Sequence, residues 1–257
     1  MTIAITRRVT PDMSRCLLTC MEREPLDTAV ASAQHDVYNE RLAEMGAEVI
    51  ELPAEPSCPD AVFVEDTAVV VDEVAVLTRP ATESRRAELP SIEAALRKHR
   101  VIRRIEGPEA TLEGGDVLRV GKRVFVGLST RTNQAGIRSL AEHLGPHGYD
   151  VRAVRVTGCL HLKTAGTHIG DGVVLVNPAW CEAGDFEGVQ LLHVDPAEPW
   201  AGNTVCLNGQ VLMASGFERT RQLLEATGRR VLTAPGSELA KAEGGLTCCS
   251  LLLNRIE

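Results

Sequence analysis

Five short segments of this 257-residue chain each place a polar, chemically capable residue just before an apolar stretch, and they recur at nearly even intervals. From Glu65 to Glu113 is 48 residues, and from Glu113 to His161 another 48. His161 to Asn203 is 42, and Asn203 to Cys248 is 45. A period of roughly 40–50 residues means repeated supersecondary units that bury their apolar faces against one another. Each unit has a similar grammar, in which the anchor is followed by an apolar strand, a tight turn and a second apolar strand. The strand pairs are Ala68–Val71 with Val74–Leu77, Val117–Val120 with Val124–Val126, and Val205–Leu207 with Val211–Ala214. The third unit turns at Gly170-Asp171-Gly172 before Val173–Val176, and the fourth turns at Asn208-Gly209. Asp-Gly and Asn-Gly are the strongest two-residue hairpin signals, because both central residues need positive φ.

Helices are expected between the units. Asp27 caps one that carries Val30, Ala33, Val37 and Met45 and stops at Gly46. Thr132-Asn133 caps another, with Ile137, Leu140, Ala141 and Leu144 on one face and Gly145-Pro146 as its stop. Arg219–Thr227 reads similarly and ends at Gly228; Pro90 interrupts the pattern over Glu83–His99. The fifth unit is truncated, with room after Cys248 for one strand only, Ser250–Asn254. Thr2–Arg7 supplies the missing strand, so the two ends of the chain close a ring that leaves few free sheet edges. The expected fold is α/β: a five-unit pseudosymmetric α/β propeller closed by the N- and C-terminal strands, one catalytic domain over 1–257, with the anchors facing a central channel.

Bulk properties narrow the chemistry. With 44% apolar and 24% charged residues the chain has the profile of a soluble globular protein. A net charge of −8 disfavours nucleic acid and anionic membrane as partners and permits a cationic small substrate. Aromatics at 3% leave no stacking platform for bases. The N-terminus carries no signal-peptide apolar region, and no apolar run approaches transmembrane length. The eight cysteines are therefore read as free thiols in a reducing cytoplasm, and the lack of any Cys-x-x-Cys gives a structural zinc site little support.

Gly244-Gly245-Leu246-Thr247-Cys248-Cys249 is the most telling segment, because a Gly-Gly turn delivers two adjacent cysteines to a strand start. Alternation along a strand points Cys248 to the channel and Cys249 to the core. Glu65-Asp66 lies inside the apolar run from Val62 to Val71, where acids must be paired or bind a cation. Arg85 and Arg131 follow their hairpins at similar offsets, which places both on one rim, and a bidentate Arg suits a carboxylate. The remaining histidines, His35, His99, His143, His147, His168 and His193, are read as structural.

Several motifs in the same order make the chain resemble the dimethylarginine dimethylaminohydrolases of the pentein, or guanidine-modifying, superfamily. They are Pro59-Asp60 with Phe63-Val64-Glu65-Asp66, Ser84-Arg85-Arg86, Leu112-Glu113-Gly114-Gly115-Asp116, Thr130-Arg131-Thr132-Asn133-Gln134, His161-Leu162-Lys163 and Leu246-Thr247-Cys248-Cys249-Ser250. The resemblance covers nearly the whole chain, and the superfamily fold is a five-unit propeller. It implies Cys248 as nucleophile, His161 as general acid/base and Glu113 as the carboxylate that orients the imidazole. It implies Glu65 and Asp66 on the guanidinium, Asp60 on the amino-acid end, and Arg85 and Arg131 near the substrate carboxylate. A mobile lid corresponds to Pro11–Cys20. No metal or organic cofactor is implied, the partner is a methylated arginine, and monomer and homodimer both remain open.

Other chemistries fit less well. A papain-like peptidase has its Cys before its His, the reverse of His161 and Cys248. His161 and His168 are not in zinc-helix spacing. Arginine deiminases resemble the chain in their Cys, His and Asp motifs. They carry His-x-Asp where this chain has His161-Leu162-Lys163, and a long helical insertion for which 257 residues leave no room. A small pentein hydrolase acting on arginine or another Nω-substituted guanidine is the alternative enzyme. A catalytically silent propeller is the alternative of a different class.

Overall fold

The computed structural model describes residues 1–255. Its strands are β1 (Thr2–Arg7), β2 (Ala47–Leu52), β3 (Ala68–Val70), β4 (Val74–Leu77), β5 (Val101–Arg104), β6 (Val117–Val120), β7 (Arg123–Leu128) and β8 (Asp150–Arg155). They continue as β9 (Gly166–His168), β10 (Val173–Val176), β11 (Gln190–His193), β12 (Thr204–Leu207), β13 (Gln210–Ala214), β14 (Arg230–Ala234) and β15 (Leu251–Asn254). Helices are α1 (Thr28–Glu44), α2 (Leu89–Leu96), α3 (Gln134–Leu144), α4 (Leu162–Ala165), α5 (Glu218–Ala226) and α6 (Ser237–Ala240).

The strands form five sheets of three: β15-β1-β2, β3-β4-β5, β6-β7-β8, β9-β10-β11 and β12-β13-β14. Every sheet repeats one plan, with an antiparallel strand on one side of the middle strand and a parallel strand on the other. The chain ends meet as expected, Ile3 opposite Leu253 and Ile5 opposite Leu251. The antiparallel strands also pack on neighbouring sheets, β3 by β15, β6 by β9 and β9 by β12. The hairpin turns have the predicted backbone: Asn208 and Gly209 lie at φ 51° and 72°, Asp171 and Gly172 at 53° and 70°.

The parallel third strands β2, β5, β8, β11 and β14 escape the sequence reading. They are short edge strands, and Arg103, Arg104, Asp150 and Arg152 break the apolar signal a strand usually gives. They are parallel because a helix-bearing crossover separates them from the middle strand in most units.

The helices start where the caps predict. Asp27 accepts from the backbone of Ala29 and Val30, and Asn133 accepts from Gly136. The buried face of α1 differs in part from the expected one: Met45 is buried and Val37 packs against the core, but the first turns present other residues. Ala31, Gln34, His35, Tyr38 and Leu42 are buried, while Val30 and Ala33 face outward. Polar contacts decide that face: Gln34 bonds Ser237 at 2.8 Å, and Tyr38 Oη meets Ser250 Oγ at 2.7 Å. Pro90 does not break α2 but lies in its first turn, where its missing N–H has no partner to lose.

The anchors occupy a different local structure from the strand starts expected of them. Glu65 and Asp66 lie in a 3-10 turn over Val64–Thr67, and Glu113 immediately precedes one over Gly114–Asp116. Cys248 and Cys249 lie in a third, Thr247–Cys249, and His161 immediately precedes α4. At three residues per turn, adjacent side chains diverge by about 120°. This divergence, not strand alternation, separates Glu65 from Asp66 and Cys248 from Cys249.

Candidate active site

A diglycine brings two anchor turns into contact. A Cβ on Gly114 would lie 1.9 Å from the Glu65 carbonyl oxygen, and one on Gly115 would lie 2.7 Å from both Asp66 Oδ1 and His161 Nδ1. Only glycine lets the imidazole and the Asp66 carboxylate sit this close to the chain. Gly115 N–H then donates to Asp66 Oδ1 at 3.1 Å. His161 Nε2 meets Glu113 Oε2 at 2.8 Å, and its Nδ1 lies 3.9 Å from Asp66 Oδ1. Asp116 fixes the start of α4, accepting from Leu162 N–H at 2.9 Å and from Ser129 Oγ at 2.6 Å. Glu113 N–H donates to Thr132 Oγ1, which ties the Glu113 turn to the Arg131 loop.

Cys248 shares a narrow cleft with Asp60, Asp66, Arg85, Glu113, Arg131 and His161. Gly245 N–H points at its Sγ from 3.4 Å. Burial, followed by the charges of Glu65 and Asp66, pushes the Cys248 thiol up to about 12. Burial alone would lower the His161 imidazole, but Asp66, Asp116 and Glu113 outweigh it and raise it to about 9. The Asp66 carboxyl resists its own burial because His161 and Arg85 hold it below the usual carboxylate range. The resting site is thus a neutral thiol beside an imidazolium and an ionised carboxylate. Asp66, Glu113 and His161 also offer three ligand atoms within 4.8 Å of one another, an arrangement that could hold a metal ion.

The other predicted residues are distributed unevenly. Arg85 is buried and fully engaged: Nε and Nη2 fork onto Glu88 at 3.0 and 2.8 Å, Nη1 bonds Asp66, and Nη2 also reaches the Phe63 carbonyl. It braces Asp66 rather than presenting a free fork to a ligand. Arg131 is less committed, with Nη1 on Thr82 Oγ1 at 2.7 Å and 3.5 Å from Glu113 Oε1. Glu65 turns away from the cleft; Lys163 Nζ donates to its Oε1 at 2.5 Å and Thr247 Oγ1 to its Oε2 at 2.7 Å. Lys163, which stands where arginine deiminases carry an Asp, lines a separate cavity with Glu65 and is absent from the lining of the cleft. Asn203, the fourth anchor, donates to the Lys163 carbonyl and Thr247 Oγ1 and accepts from Thr247 N–H, all at 3.0 Å.

Comparisons with known proteins identify the family. Residues 54–201 match the family model for arginine deiminase. The chain is 37% identical over 98% of its length to an N(G),N(G)-dimethylarginine dimethylaminohydrolase of Streptomyces coelicolor, covering 97% of that protein. It is 34% identical over 88% of its length to the enzyme of the same name from Pseudomonas aeruginosa, covering 89% of it. The structure of the Pseudomonas enzyme, as a cysteine-to-serine mutant complexed with citrulline, superposes with a TM-score of 0.92 at 32% identity over 97% of this chain and 98% of that one. This chain belongs to the dimethylarginine dimethylaminohydrolase family.

In this dimethylarginine dimethylaminohydrolase family member, the segment that resembles a lid is a 3-10 turn, Pro11–Arg15, followed by an irregular stretch. Leu17 N–H donates to both Asp60 oxygens at 3.1 and 3.3 Å, and Arg131 Nη2 donates to Thr19 Oγ1 at 2.6 Å. Thr19, Cys20 and Met21 all donate their backbone N–H to the carboxylate of Glu243. Glu243 holds a left-handed φ of 58°, unusual for a side chain of its size. Sequence reasoning missed Glu243 and Glu88. The Arg85–Glu88 spacing of three residues was a signal for the second; nothing local pointed to the first.

Proposed function

We propose that the chain hydrolyses Nω-methylated arginines to citrulline and an alkylamine, with Cys248, His161 and Glu113 as catalytic residues. The observation that carries this reading is Cys248 held in one cleft with His161, whose Nε2 lies 2.8 Å from Glu113 Oε2 and whose Nδ1 lies 3.9 Å from Asp66 Oδ1. A guanidinium carbon is a weak electrophile, and a thiolate is the side chain best suited to attack it near neutral pH. A bound cation offsets the negative field of Glu65 and Asp66 that keeps Cys248 protonated, so the substrate itself promotes thiolate formation. The thiol proton leaves to solvent as the cation binds, sulfur bonds to the guanidinium carbon, the C–N bond to the alkylamine breaks, and His161 gives that amine its proton. The neutral imidazole then deprotonates a water that displaces sulfur from the thiouronium carbon. Positioned proton transfer of this kind is worth roughly 10²–10⁴ in rate.

Each substrate-contact residue has a task suited to its surroundings. Asp66 uses one hydrogen bond per oxygen within the protein, which leaves acceptor capacity for the unmodified guanidinium nitrogen. Asp60 and Arg131 lie with the lid, at the end suited to the amino acid's charged groups. Arg85 acts through Asp66. Glu65, first expected on the guanidinium, acts through Thr247 on the turn that carries Cys248. The five sheets of common plan, the β1–β15 pairing and the packing between neighbouring sheets support a closed pseudosymmetric propeller forming one catalytic domain. All eight cysteines are unpaired and no helix among the described residues is long and apolar enough to cross a membrane, which supports a cytoplasmic setting.

The arginine deiminase match makes plain arginine the competing substrate. Citrulline formation from dimethylarginine, monomethylarginine and arginine, measured side by side, decides between them. The expected kcat/KM for dimethylarginine exceeds that for arginine; the reverse order replaces this reading with arginine hydrolysis.

A further inference from the structure

Beside the cleft lies a second cavity of about 460 Å³, walled by Leu160, Trp200, Phe217, Leu246, Met21 and Ala214. We propose that it is the leaving-group end of the substrate site, and that the enzyme hydrolyses arginines whose Nω-substituent is far larger than methyl, in the butyl and benzyl class. The inference rests on the Nω-arginine hydrolase reading above and names its substrate range. Two methyl groups fill little of such a space, which lies in the roughly 300–1,000 Å³ range of cavities that hold whole ligands.

The position of the cavity ties it to the reaction. It shares Leu160, Glu243 and Gly244 with the cleft. Leu160 is the chain neighbour of His161, the acid that must reach the departing nitrogen. Gly245, which points its N–H at Cys248 Sγ, lines the cavity as well. One lid covers both spaces: Leu17 lies over the cleft, Cys20 and Met21 over the cavity, and Glu243 binds the backbone N–H groups of Cys20 and Met21 at their junction.

Charge sets which end of the guanidinium goes where. Asp66 and Glu113 lie on the side of the Cys248–His161 pair formed by the first and second anchors. The side between His161 and Cys248 belongs to Asn203, a neutral amide whose donors are spent on Lys163 and Thr247. The unsubstituted nitrogen keeps the carboxylates. The substituted nitrogen has fewer N–H groups to offer and turns toward the Asn203 side, where the cavity begins past Glu243, whose carboxylate is taken up by the backbone N–H groups of Thr19, Cys20 and Met21. The chemistry balances for any such substrate: Cys248 loses its proton to solvent and its sulfur joins the guanidinium carbon, the C–N bond to the amine breaks as His161 protonates the amine, and water, giving a proton back to His161, breaks the C–S bond to release citrulline and the thiolate.

The test is a kcat/KM series for Nω,Nω-dimethyl-, Nω-butyl- and Nω-benzylarginine, read as citrulline, in wild type, Ala214→Phe and Trp200→Ala. Wild type is expected to process the butyl and benzyl substrates within tenfold of dimethylarginine, each buried methylene contributing up to about fourfold. Ala214→Phe fills the cavity and should cut benzylarginine turnover at least tenfold, with less than a threefold change for dimethylarginine. Trp200 is 44% exposed, so Trp200→Ala keeps the fold and should lower the benzyl substrate selectively, about fivefold. Wild-type turnover of dimethylarginine with neither larger substrate accepted overturns the cavity assignment alone. So does an equal effect of both variants on all three substrates. No citrulline from dimethylarginine would instead overturn the parent reading and this one together.

Discussion

Glu65 and Asp66 are neighbours in sequence and serve opposite sides of the molecule's centre. Asp66 faces the cleft, where Arg85 braces it and His161 lies within 3.9 Å. Glu65 faces a cavity of about 330 Å³ on the other side, where Lys163 and Thr247 take its two oxygens. Burial raises the Glu65 carboxyl in spite of Lys163, whereas His161 and Arg85 overcome burial at Asp66 and hold its carboxyl low. Two identical charges thus acquire different work from the partners each can reach. Asp66 faces the His161 imidazole with acceptor capacity to spare, and Glu65 is tied to the Thr247–Cys249 turn.

The cysteine pair gives the largest test of this division. Cys248→Ser is expected to lower turnover by at least about 10⁴-fold, while Cys249→Ser, away from the cleft, stays within about tenfold. Comparable loss in two folded variants would mean that the 3-10 turn does not separate their roles. Next, Asp66→Asn should reduce kcat/KM by about 10³-fold, because it removes a preorganised charge from the reacting cation. Arg85 keeps its fork onto Glu88, so this variant should melt close to wild type. Glu65→Gln should show the opposite pattern: a loss of only about tenfold in kcat/KM, but about 2–3 kcal/mol of stability, since Lys163 is left buried without its anion. Chemical denaturation and steady-state kinetics on the two variants sharpen the comparison, and it breaks if their patterns are exchanged or alike.

Gly115→Ala tests the contact between the turns. Its Cβ would displace Asp66 or His161, and a displacement of about 1 Å is expected to reduce kcat by about 10²-fold with the fold retained. The smallest effect concerns pH. His161 is raised to about 9, and if it protonates the departing amine as proposed, kcat/KM should hold through neutral pH and fall about tenfold per unit above pH 9. Asp66→Asn removes part of what raises the imidazole, so its alkaline limb should move to lower pH. An unmoved limb would show that Asp66 does not govern the proton on His161.

Much of this was legible in the chain itself. Spacing of the anchors gave the five units, and Asn208-Gly209 and Asp171-Gly172 fixed their hairpins because positive φ is a local property of the backbone. Asp27 and Asn133 marked their helix starts for the same local reason. Repeat position together with the family resemblance singled out Cys248, His161, Glu113 and Asp66, and the cleft brings them together. The third strand of each sheet was not legible, since an edge strand carrying Arg103 or Asp150 has no apolar alternation to read. Nor was the buried face of α1, which Gln34 and Tyr38 choose through partners more than 200 residues away in the chain.

The sequence by itself determined which residue types stand at five equivalent turns, because local turn geometry and apolar patterning need only near neighbours. The tertiary structure decided which of those charges are free to meet a substrate. Glu88 and Asp66 consume Arg85, Lys163 and Thr247 consume Glu65, and Glu243 gathers the backbone N–H groups of Thr19, Cys20 and Met21 only when distant segments come together. A buried charge takes its role from its nearest partners in space, and those partners are set by how the sheets pack.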